Sequence, residues 1–161
     1  MEVCMISKKK ITLTVFLMVF LAFSAQASMV SFYIIETGLS DNGKENEYSV
    51  LWENAFLDVF FDGGFIVSNA PILRLEEKPE GDILRQINMH QVRNAGIDFL
   101  IIAQLDFHEE LIPSEITFYI YKVTPRELIL ERKIERRQSR ASREEYEYLK
   151  SIARGLIPYI D

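Results

Sequence analysis

The stretch DFHEE, Asp106–Glu110, comes nearest to a set of residues that could do chemistry. In an extended strand side chains alternate between the two faces, so Asp106, His108 and Glu110 would share one side. Two carboxylates and an imidazole make a donor set that can hold a transition metal. The plainer reading is a polar turn after a buried strand. The sequence favours the plainer one, because no second histidine stands close by and metal sites draw three or four protein ligands. His90, the other histidine, is expected at the surface of a helix.

Other reactive arrangements are sparse. No G-x-S-x-G marks an activated serine. The acidic pairs Glu76/Glu77, Glu109/Glu110 and Glu144/Glu145 have no recognisable cleft around them, and glycoside hydrolysis needs two carboxyls facing each other across one. The Gly pair in DGGF, Asp62–Phe65, lacks the G-x-G-x-x-G spacing of a phosphate cradle and closes a helix instead of opening one. The sequence therefore predicts no catalytic residue and no cofactor.

The N-terminus has the layout of a secretory signal. Lys8, Lys9 and Lys10 precede the uncharged run Ile11–Phe23, and Ala25 and Ala27 occupy the small-residue positions of an A-x-A cleavage site. Residues 1–27 are expected to be removed, with cutting between Ala27 and Ser28, leaving one domain over 28–161. Thirteen apolar residues are short for a membrane span of roughly 20. The only cysteine, Cys4, lies in that leader. No cysteine follows the apolar run, so lipid attachment is not expected. A secreted domain without disulfides fits a bacterial periplasm better than a disulfide-dense extracellular class.

Charge narrows the partners. The 18 Lys and Arg stand against 24 Asp and Glu; without Lys8, Lys9, Lys10 and Glu2 the balance is 15 against 23, a net charge of −8. Such a chain is not expected to neutralise nucleic-acid phosphates or to dock on anionic lipid. The basic run ERKIERRQSR, Glu131–Arg140, is diluted by Glu131 and Glu135 and reads as an exposed hairpin end. No later stretch is apolar enough to span a bilayer.

The elements follow from periodicity. Met29–Gly38 is β-branched and aromatic on both faces, as in a covered strand. Leu51, Trp52, Ala55, Phe56, Val59 and Phe60 form a helical stripe, closed by Gly63 or Gly64, before a short strand over Phe65–Asn69. Trp52, Phe56, Phe60, Phe61 and Phe65 are expected in the core. Ala70–Gly81 reads as a connector, and DILRQINMHQVRNAG as a second helix. Ile97–Phe107 reads as a central strand. ITFYIYKV and LILERKIE flank TPRE as a hairpin, whose second arm would place Leu128, Leu130, Arg132 and Ile134 on one face. SREE, Ser142–Glu145, is a capping box opening a last helix. The predicted fold is α/β, a mixed five-stranded sheet with three helices in the order β-α-β-α-β-β-β-α.

Three of these segments resemble a known family. AFLDVFFDGGFIVSN, NAGIDFLIIAQLDF and ITFYIYKVTPRELILERKIE are similar to the helix-to-strand handover, the central-strand entry and the hairpin of the TolB amino-terminal-domain group and the CsgG-like and LpoB-like periplasmic proteins. The resemblance runs from about Met29 to Ile160. It implies a non-enzymatic adaptor or scaffold that binds another cell-envelope protein, with outer-membrane association through that partner. The alternative from the residues themselves is a small-ligand or metal-binding periplasmic protein using Asp106–Glu110.

Overall fold

The computed structural model describes residues 27–39, 46–108, 112–134 and 142–160. Ala25, Glu110, residues 40–45 and residues 135–140 of the basic run lie outside them. The first strand, β1 (Met29–Thr37), is buried on both sides because it runs through the middle of the sheet. It pairs in parallel with β4 (Phe99–Asp106) along its whole length. On its other side it pairs first with β2 (Ile66–Asn69) and then with β3 (Leu73–Leu75). Antiparallel β5 (Glu115–Lys122) and β6 (Glu127–Ile134) extend the sheet beyond β4, giving the order β2–β1–β4–β5–β6.

Helix α1 (Glu47–Asp62) starts where the Asn46 side chain accepts the Tyr48 N–H. It ends at Gly64, which takes the left-handed φ of 86° that lets the chain reverse into β2. With α3 (Ser142–Arg154) it covers one sheet face. The core there is aromatic. Phe56 lies stacked between Phe32, at 4.6 Å, and Phe118, at 5.3 Å, with Trp52 tilted against Phe118. Leu149, Ala153, Leu156 and Ile160 complete it. Two tyrosines tie the helices together: the Tyr48 hydroxyl donates to Glu145, and Tyr146 donates to Asp58 at 2.7 Å.

The opposite face carries a thinner cover. A 3-10 turn (Ile83–Gln86) and α2 (Met89–Asn94) lay Ile83, Leu84, Ile87 and Val92 over Ile35, Leu100, Ile102 and Tyr121. The predicted single helix over 82–96 is thus two short pieces. Asp82 caps the first by accepting from Leu84 N, Ile87 is extended and buried, and Asn88 caps the second by accepting from Gln91 N.

Three further expectations change. The connector holds β3, because its Arg74 meets Glu36 across the strand pair at 2.7 Å. Phe61 is 74% exposed, since one step along a helix from buried Phe60 turns it away from the core. On β6 a bulge leaves Ile129 without a partner, so Leu130 pairs with Ile120 and Leu128 with Tyr121. Leu128 therefore lies on the face opposite Leu130, Arg132 and Ile134. The last helix runs from Ser142; the Ser142 side chain of the predicted capping box lies outside the described residues, while Glu145 is buried against Tyr48.

Candidate functional site

The ends of β1 and β4 bring the DFHEE segment into a definite geometry. Asp106 closes β4, buried between Thr37 on β1 and Glu115 on β5. Strand pairing stops there. Phe107 N still donates to Thr37 O at 2.9 Å, but His108 turns into the left-handed region with φ 43°. The alternation that would align Asp106, His108 and Glu110 does not extend past Asp106. The turn is fixed on both sides. Ser114 donates to Asp106 O through its N–H, at 2.8 Å, and its hydroxyl, at 3.1 Å. Gly38 faces it so closely that a Cβ there would lie 2.9 Å from His108 N.

This turn still brings the histidine back to the aspartate. His108 Nε2 lies 3.6 Å from Asp106 Oδ2, longer than a hydrogen bond and within ion-pair range for a protonated ring. The His108 side chain is 66% exposed and the Asp106 side chain 8%. Glu110 lies outside the described residues. Among the described residues no three His, Cys, Asp or Glu side chains are grouped to hold a metal. His90 sits exposed on α2 with Asn94 at 3.3 Å.

Beside Asp106, Glu115 holds a bridge that sequence reading missed. Lys133 of β6 and Lys78 of the connector both donate to its carboxylate at 2.6 Å. Those two hydrogen bonds, Lys133 first, lower its pKa to about 2. The bridge joins three segments distant in sequence, so no local spacing announces it.

Glu36 was also missed. Its side chain is fully buried; Oε2 accepts from Arg74 Nε, and Oε1 has no hydrogen-bond partner. The signal was present: Val30, Phe32 and Ile34 set the core-facing parity of β1, and Glu36 continues it. A charge on that parity requires a partner.

The second site candidate is an edge. β6 is the outermost strand on its side, and among the described residues no strand lies beyond it. The other edge is split between four-residue β2 and three-residue β3, whereas β6 is eight residues long. Its exposed positions include Glu127, Leu128, Glu131, Arg132 and Lys133. Among the described residues no helix is long and apolar enough to cross a membrane.

A family model described as "Uncharacterised protein" matches residues 30–120, more than half of the chain. No curated protein matches the sequence. Among solved structures, TolB from Acinetobacter baumannii is 17% identical with a TM-score of 0.45, over 81% of this chain and 28% of that one. The chain thus spans little more than a quarter of the TolB chain. PelC from Paraburkholderia phytofirmans, solved as a dodecamer, is 14% identical with a TM-score of 0.48, over 84% and 90% of the two chains. The C-terminal domain of LpoB from Salmonella enterica is 14% identical with a TM-score of 0.40, over 74% and 90%. The resemblance to the TolB amino-terminal and LpoB groups is a distant likeness of fold.

Proposed function

We propose a function from the premise that this chain belongs to the family described as "Uncharacterised protein": it is a non-enzymatic periplasmic adaptor that binds another cell-envelope protein. The observation that carries this reading is the long outer edge of β6. An edge strand offers a row of backbone N–H and C=O groups to an incoming strand, and alternating side chains give that pairing its specificity. Glu131, Arg132 and Lys133 would select the partner's charges, and Leu128 supplies exposed apolar surface, at 46%. Such a role asks for no bond-making chemistry.

Export is part of the same reading. Ala27 is exposed, and the first sheet contacts follow it: Ser28 O accepts from Ile66 N at 3.1 Å, and Met29 N donates to Asp98 Oδ2 at 2.8 Å. Cutting between Ala27 and Ser28 would remove no sheet hydrogen bond. The test is photo-crosslinking in cells from Leu128 on β6, with Ile66 on the opposite edge as control, read with the mass of the purified chain. One envelope protein captured from Leu128 alone, on a chain beginning at Ser28, is the expected result. Equal capture from both edges, or an intact leader, overturns it.

The closeness of His108 to Asp106 supports a second reading, a metal held there with Glu110. About one equivalent of metal, lost in His108→Ala, would favour it over the adaptor.

A further inference from the structure

A cleft of about 360 Å³ opens on the thinly covered sheet face, between β1, β2 and the segment carrying the 3-10 turn and α2. Its volume lies at the lower end of the range of roughly 300–1,000 Å³ usual for small-ligand sites. Its chemistry sets it apart. Fourteen residues line it and none is Asp, Glu, Lys or Arg, in a chain where those make up 26% of residues. The polar groups are hydroxyls and carboxamides instead: Ser31, Tyr33, Ser68, Gln86, Asn88 and Gln91, with Asn69, whose carboxamide donates to Glu53 at 2.7 Å.

Several of these groups are already fixed. Ser68 Oγ donates to Ser31 Oγ at 3.1 Å, which joins β2 to β1 at the cleft floor. Asn88 Oδ1 accepts from Gln91 N, which sets the carboxamide at the start of α2. Others are open. Among the described residues the Tyr33 hydroxyl and the Gln86 and Gln91 carboxamides have no protein hydrogen-bond partner. Burial holds the Tyr33 phenol above its ordinary pKa, so it remains a neutral donor. A site of this kind cannot neutralise a charged ligand, because it offers no counter-charge. It can match a molecule dense in uncharged donors and acceptors, with an aromatic ring to cover an apolar C–H face.

We infer that this cleft binds an uncharged saccharide, about one sugar ring, through Ser31, Tyr33, Ser68, Asn88 and Gln91. The inference is independent of the β6 edge, which lies on the far side of β4 and β5. Ser68 and Tyr33 approach the ring from the sheet, and Asn88 and Gln91 close over it from α2. Discrimination against ionic sugars follows from the missing counter-charge, since a desolvated charge left unpaired is strongly disfavoured.

The experiment is a titration of the secreted, purified chain with glucose, galactose and N-acetylglucosamine, followed by amide chemical shifts. Glucuronate and glucosamine serve as ionic controls. The expected result is saturable shifts centred on Ser31, Ser68 and Gln91 with at least one neutral sugar. Binding should weaken at least tenfold in Tyr33→Ala and in Gln91→Ala, and the ionic analogues should bind at least tenfold more weakly. Gln91 is exposed, so its variant tests the site even if Tyr33→Ala disturbs folding. No saturable shift with any neutral sugar overturns the inference. So does undiminished binding in Gln91→Ala, or equal binding of glucuronate.

Discussion

The two faces of the sheet are built for different ends. One is sealed by two long helices over stacked Phe32, Phe56 and Phe118. The other has a short 3-10 turn and a six-residue helix, half-buried Tyr33 and Tyr119, and an open cleft. Dense aromatic packing gives stability. The thinner face gives up some of that burial and keeps hydroxyls and carboxamides within reach. Dense burial and accessible polar groups are thus divided between the sides of one sheet.

The largest test of that division is Phe56→Ala. Removing a ring stacked on both sides should cost about 4 kcal/mol in chemical denaturation. Leu84→Ala, its counterpart on the thinner face, should cost about 2 kcal/mol, because short elements can settle into the space. Equal costs would break the comparison.

Arg74→Ala should come next, at about 3 kcal/mol, because it strands the buried Glu36 carboxylate. Pairing Arg74→Leu with Glu36→Leu should recover most of that loss, since a buried ion pair is often replaceable by apolar groups. A double variant as unstable as Arg74→Ala would show that the pair itself adds stability.

The smallest effect is a pH dependence at the sheet end. Glu115 is lowered in the folded chain, from an ordinary 4.5 to about 2, by Lys133 and Lys78. A depressed acid adds stability that is complete above the ordinary value and disappears as pH falls through the folded value. Its carboxylate and lysines are partly exposed, so screening holds the contribution to about 1 kcal/mol. Lys133→Ala should flatten the loss of stability between pH 4.5 and about 2. An unchanged acid profile would remove Glu115 from the account.

Much of this division was legible in the chain. The run of β1 that is apolar on both faces, the stripe through Trp52 and Val59, and the apolar Ile97–Phe107 stretch set the sealed face and its central strands. What was not legible depended on partners far away. Three residues, Leu73–Leu75, become a strand only because β1 and Glu36 wait beside them. Leu128 changes face because of a bulge opposite Ile120 and Tyr121, which no one-strand pattern records. The second helix broke because Asp82 and Asn88 each start a helical piece, and both caps were visible in the sequence. At the candidate sites, DFHEE was found by residue type, but its geometry came from a turn that Gly38 and Ser114 impose. The cleft gave no local signal, since Ser31, Ser68 and Gln91 meet only in the fold.

The pairing of β1 with β4 also sets an order of events. Met29 N bonds to Asp98, 69 residues further along, and neither neighbour of β1 is made before Ile66. Of the described strands, the first to leave a ribosome or an export channel therefore waits longest for its neighbours. Closing so long a loop is slow relative to local helix formation. A chain threaded through a pore from its N-terminus would hold this apolar strand open until more than half its length had passed, which keeps it transportable and makes that interval its time of greatest need for a chaperone.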